Sequence, residues 1–178
     1  MLPRPYEYGE ARNVFLEMID VLCADMYKKH LLAPIFTWWV SYDYKSLEKL
    51  PGYEGPVSVD FYGRLHPCHS NGTVNLGVPT GSPSAVGAAL AAQFDEKTDH
   101  RLLYRRLGVC AVNVIPDTGA VQMDFFTDYA TLAREKRIQG AMLEVRARYG
   151  ANAIFTGKNL RSGATTLERN QQIGGHRA

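Results

Sequence analysis

An α+β domain built on antiparallel strands is the fold class this sequence predicts, and three observations predict it. Two hydrophobic periods coexist: residues 7–30 repeat apolar side chains every three or four positions, whereas residues 35–44 and 107–112 alternate them. The periodic segments follow one another as helix, strand, strand, helix, strand. Turn residues such as Pro51-Gly52 and Gly55-Pro56 fall between them and not within them. With 178 residues, the chain has room for one hydrophobic core and an appendage.

In residues 7–30, Phe15, Ile19, Leu22 and Met26 form one stripe, flanked by Val14, Met18 and Val21. Arg12, Asn13, Glu17 and Asp20 fall elsewhere, so one packed side is expected. Glu7 and Glu10 near the start and Lys28, Lys29 and His30 at the end suit the helix dipole, which makes His30 a helix-end cation. In the next segment Phe36, Trp38, Val40 and Tyr42 are predicted to face inward, leaving Thr37, Trp39, Ser41 and Asp43 on the open face. Residues 45–63 read as a long excursion within a hairpin. The return strand points Val74 and Leu76 inward and Thr73 and Asn75 outward.

Ser82-Pro83 is a helix start, followed by Val86, Leu90 and Phe94 at four-residue spacing among five alanines. The last strand places Leu107, Val109 and Ala111 on one face and Arg106, Gly108, Cys110 and Val112 on the other, with Tyr104 expected beside Arg106. This succession is a ferredoxin-like split βαββαβ unit lacking its first strand. In the strand order 4-1-3-2 the missing strand would leave a gap between segments 72–76 and 106–114. Its open edges would invite self-association. A second amphipathic helix is expected over 129–149, with Ile138, Met142, Val145 and Tyr149 as its stripe and Gly150 as its stop. The predicted organisation is therefore a domain at 1–118, a linker at 119–128, a helix at 129–150 and a flexible basic tail at 151–178.

Composition narrows the function classes. No apolar run approaches the roughly 18 residues of a transmembrane helix, the first residues lack a secretory core, and three scattered cysteines make no disulfide framework. A cytoplasmic protein with no membrane partner is expected. His66, Cys68 and His69 lack a second cluster at zinc-ligand spacing, so no metal and no other cofactor is predicted. The net charge of +2 is uneven: residues 1–118 carry 11 Lys/Arg against 13 Asp/Glu, and residues 119–178 carry 9 against 5. Any nucleic-acid contact on the domain must therefore be a local stripe.

The stripe is Arg105 and Arg106 at the head of an otherwise apolar strand. Gly72, Thr73 and Asn75 add a stretch where a phosphate backbone could approach peptide N–H groups, unless this is a plain strand with a bulge. Tyr104 and Trp39 would share that face, Trp39 against sugar or an unpaired base. Beyond the strand, Val121-Gln-Met-Asp-Phe-Phe126 has two readings, a short peptide whose apolar anchors fill a partner's pocket or an edge strand of the domain itself.

These residues carry a resemblance. The Arg-Arg strand, Pro5-Tyr-Glu-Tyr-Gly-Glu-Ala-Arg12, Tyr62-Gly-Arg64, His69-Ser-Asn-Gly-Thr-Val-Asn-Leu-Gly77 and Gly163-Ala-Thr-Thr-Leu-Glu-Arg-Asn-Gln-Gln-Ile-Gly-Gly-His-Arg-Ala178 together resemble the C-terminal part of UmuC-type (ImpB/MucB/SamB) Y-family DNA polymerases. The resemblance implies a little-finger domain, which in this family grips a DNA primer–template during lesion-bypass (translesion) synthesis in the SOS response to DNA damage. It also implies that Gln122, Met123, Phe125 and Phe126 form a sliding-clamp-binding peptide, with Met123 and Phe125 standing where leucines are usual. The family's catalytic palm, with its Mg²⁺-binding carboxylates, has no counterpart here. Asp43, Asp60 and Asp124 are isolated and are expected to be solvated. A non-catalytic module is the implied function. In the tail, Lys158, Arg161, Arg169 and Arg177 could touch phosphate, or the tail could be disordered.

Overall fold

The computed structural model describes residues 1–119, 129–173 and 176–177. Helix α1 (Tyr8–Lys28) leads into strand β1 (Leu31–Tyr42), then the short helix α2 (Lys45–Lys49) and the hairpin β2 (Val57–Val59) and β3 (Leu65–Pro67). Strand β4 (Ser70–Thr80), helix α3 (Pro83–Lys97), strand β5 (Tyr104–Val112) and the two-residue β6 (Ile115–Pro116) complete the domain. Helix α4 (Tyr129–Tyr149), a 3-10 turn (Gly157–Leu160), helix α5 (Thr166–Arg169) and the pair β7 (Gln172–Ile173) and β8 (His176–Arg177) follow. The fold is mixed α+β with an antiparallel sheet.

Its strand order differs from the expected 4-1-3-2. β1 is the central strand and pairs antiparallel with β4 on one side and β5 on the other. The predicted gap is absent, because the same stretch of β1, Ile35 to Val40, pairs along one edge with β4 and along the other with β5. Thr37 lies opposite both Thr73 and Cys110, and Trp39 opposite both Asn71 and Gly108. The start of β5's outer edge is covered as well: Leu2 N–H donates to Arg105 O at 3.0 Å, and Tyr6 and Tyr104 exchange backbone bonds of 2.9 and 2.8 Å. Pro3 and Pro5 lack donors, which keeps this cover from becoming a full strand.

Helices α1 and α3 cover one sheet face. Phe15 stacks on Phe94 at 4.5 Å and meets Trp38 edge-on at 6.0 Å, with Ile19, Phe36, Val40, Val86 and Leu90 buried around them. Arg12 of α1 clasps Asp95 of α3 at 2.8 Å, and Tyr8 donates to the same carboxylate at 2.6 Å. Cys23 belongs to this core; burial pushes its thiol up to about 12, so it is an apolar filler and not a nucleophile.

The other side of α1 corrects two expectations. Asn13 and Glu17 are buried and Asp20 is half-buried, because α4 and the chain beyond it run back along α1 from its end to its start. A Cβ at Gly140 would strike Tyr27, Lys158 meets Asp20 at 2.8 Å, and Ser162 donates to Glu10 at 3.2 Å. Glu17, only 1% exposed, accepts from Asn159 Nδ2 at 2.6 Å and from the Thr165 amide at 2.8 Å. Residues 158–165 thus lie along the polar face of α1 as a cover. Periodicity misses this because α1 has two buried faces, an apolar one on the sheet and a polar one under the tail, and hydrophobicity reports only the first.

Helix α4 is likewise rotated from its predicted setting. Leu143 is buried, with Leu132, Glu135, Gln139, Met142 and Arg146 partly so, whereas Ile138 and Tyr149 are exposed. Polar anchors set the rotation. Glu135 accepts from Ser84 N and Oγ at the start of α3, both at 2.9 Å, and Arg146 donates to Ile154 O at 3.0 Å.

Candidate nucleic-acid interface

Residues opposite one another in an antiparallel pair point to the same side. The face turned away from α1 and α3 therefore carries Ile35, Thr37, Trp39 and Ser41 from β1, Asn71, Thr73 and Asn75 from β4, and Arg106, Gly108, Cys110 and Val112 from β5. Thr37, Trp39, Thr73, Asn75 and Arg106 fall where the alternation put them. Asn71 was overlooked, although it is two residues before Thr73 and shares its face.

Trp39 is 45% exposed, and its indole lies over Gly108, where any side chain would strike it. The glycine turns an aromatic ring into a platform on the open face. Asn75 Oδ1 accepts from Gly77 N at 2.9 Å, and Gly77 has φ +74, so the loop of β4 between the pairs Ile35–Asn75 and Ala33–Thr80 is a side-chain-stabilised bulge.

Two expected contact residues lie on the opposite face. Tyr104 is fully buried, packs on Tyr42 at 5.2 Å and has its phenol pKa raised far above normal by burial. The cause is an irregularity in register: Ser41 pairs with Arg106 but Tyr42 with Tyr104, so Arg105 is an extra residue and parity inverts across it. Gly72 is also buried, opposite Trp38, and a Cβ there would collide with Gln93 and Trp38. Its smallness admits the bridge from Trp38 Nε1 to Gln93 Oε1 at 2.8 Å and from Gln93 Nε2 to Thr73 O at 3.1 Å.

The two arginines are not equivalent. Arg105 donates to Leu2 O at 3.0 Å and lies 3.6 Å from Asp43, so its charge is engaged in holding the N-terminal segment. Asp43 is correspondingly buried, contrary to a solvated role. Arg106 is exposed, and its guanidinium has no hydrogen-bond or ion-pair partner among the described residues. Asp60 pairs with Arg64 at 2.7 Å, and Arg64 also sits over the rings of Tyr44 and Tyr62 at 4.6 and 5.1 Å. Lys158 is committed to Asp20, whereas Arg161 and Arg169 are exposed. Gln122, Met123, Asp124, Phe125 and Phe126 lie outside the described residues, as does the side chain of Arg177.

Among the described residues the open face is thus a polar surface with one aromatic platform, Trp39, and one cation without a partner, Arg106. Such a surface can meet phosphate oxygens through hydroxyls, amides and Arg106, and sugar or base through Trp39. Among the described residues no group of three His, Cys, Asp or Glu side chains is placed to hold a metal ion. No helix among them is long and apolar enough to cross a membrane. No family model matches the chain, and no curated protein matches it.

Proposed function

We propose that the chain is a non-catalytic DNA-binding module of the little-finger kind, lying with its open sheet face along the phosphate backbone of a primer–template. The observation that carries this reading is the register that gathers Trp39, Thr73, Asn75 and Arg106 on the sheet face turned away from the helices. The family resemblance adds the setting, lesion-bypass synthesis in the cytoplasm. It also makes the domain comparable to a split βαββαβ unit in which β1, β4 and β5 supply the strands after the first. Arg105, Tyr104 and Gly72 serve in this reading as scaffold for that face.

The test is fluorescence anisotropy with a primer–template duplex over a range of salt concentrations. Binding is expected to be sequence-independent and salt-sensitive. Arg106→Ala should make the log–log slope shallower by about 0.9, the change for one phosphate contact. Trp39→Ala should weaken binding without changing the slope. A second reading rests on Gln122 and Phe126 coming after the last sheet strand in sequence, in the place the family resemblance gives a clamp-binding peptide: a protein-interaction module whose activity is sliding-clamp binding. Binding to purified clamp with none to duplex would replace the first reading with the second.

A further inference from the structure

We infer that the outer face of α4 is a second surface for nucleic-acid phosphates, on the opposite side of the molecule from the open sheet face. The inference rests on the DNA-binding reading and starts from its shortfall. With Arg105 engaged by Leu2 and Asp43, the sheet face offers Arg106 alone, which accounts for a salt slope of only about −0.9. The missing cations are on α4. Arg134, Arg137 and Arg148 are all exposed, and no described residue pairs with them.

At 3.6 residues per turn these three arginines fall within about 60° of one another around the helix axis. Ala130 and Ala141 share their arc and let the helix come close to a phosphate rail. The other charged groups of the helix are directed elsewhere: Glu135 into the start of α3, Lys136 to Asp117 at 2.5 Å and Arg146 to Ile154 O. Glu144 is the one described acid in the arc, leaving a net charge of two. From Arg134 to Arg148 the helix rises about 21 Å, the length of about six base pairs of duplex.

Position favours nucleic acid over a protein partner. A docking helix centres its apolar anchors in the contact. Here Arg137 and Arg148 hold the centre, and exposed Ile138 and Tyr149 stand at the margin. Because α4 packs on the side of α1 away from the sheet, one straight duplex cannot meet both surfaces, and the chain would hold two stretches of phosphate backbone.

The experiment compares the full chain with its R134A/R137A/R148A and R134K/R137K/R148K variants on the same duplex across salt. The alanine variant should lose about 2–3 from the magnitude of the slope, and the lysine variant should keep it. If the alanine variant melts early, R106A decides: a slope of about −2 to −3 remaining in R106A upholds the α4 surface, and a slope near zero overturns it. An unchanged slope in the alanine variant, while R106A flattens it, overturns this surface and leaves the sheet-face reading standing. No duplex binding by the unaltered chain overturns both. Loss of clamp binding in the alanine variant with duplex binding intact assigns the face to a protein and overturns the inference.

Discussion

Single positions carry two kinds of information in this sheet, and Gly72 separates them. From sequence it resembles a glycine that lets a phosphate approach; in the structure it makes room for the Trp38–Gln93–Thr73 bridge. Gly72→Ala forces a methyl group into Gln93 and Trp38, an overpacking that typically costs about 1–3 kcal/mol. Urea denaturation should register that loss, with duplex affinity of the folded variant unchanged. A variant of full stability and reduced affinity would return Gly72 to the interface. Gly108 is different, since a side chain there would displace Trp39 from the open face itself.

At the scale of elements, α1 is held on two sides, and the second side is testable by a cycle. Glu17→Ala leaves the Asn159 amide and the Thr165 N–H without an acceptor in a buried site, a change of about 1–3 kcal/mol. In a chain lacking residues 151–178 the same carboxylate faces water, and the substitution should then have an effect near zero. Non-additivity of this kind is the signature of a direct contact. Equal effects in both backgrounds would mean that the tail does not seat on Glu17 in solution. The helix pattern, turn signals and approximate boundaries of α1, α3 and α4 follow from periodicity and capping. The setting of α4 does not, because Glu135 and Arg146 fix it and polar anchors leave no hydrophobic signal.

For the whole molecule, acid is the natural probe, because its layers are tied by carboxylates. Hydrogen bonding to Arg4 and Arg101 lowers the pKa values of Glu10 and Asp99, and Lys136 does the same for Asp117. For Asp95 burial acts upward, but the hydrogen bonds from Arg12 and Tyr8 outweigh it and the net shift is downward. A carboxylate depressed in the folded state contributes stability above its unfolded value, about 4, and that contribution is lost as pH falls through the folded value. Asp20 acts in the opposite sense, since burial raises its pKa and its charge is a burden that protonation relieves. Asp60, hydrogen-bonded to Arg64, is lowered too, and among the described residues five depressed carboxylates against one raised predict a melting temperature that declines once pH drops below about 4. Arg12→Ala should reduce that decline by releasing Asp95. An acid profile unaffected by Arg12→Ala would show that the α1–α3 clasp is not what acid breaks.

By itself the sequence determined the types of α1, β1, β4, α3, β5 and α4, the inward face of β1 and the outward placement of Trp39, Thr73, Asn75 and Arg106, because periodicity along a helix or strand is a local property of the chain. Only the tertiary structure decided the strand order, since β1 could serve one neighbour or two with the same pattern. It also decided the burial of Tyr104, because one extra residue at Arg105 inverts parity and can be seen only against a partner strand. The same holds for the tail: Glu17 and Asp20 read as solvated on a helix until residues more than a hundred positions away supply their hydrogen bonds. Polar burial depends on the partner, and the partner is set by the path of the chain in space.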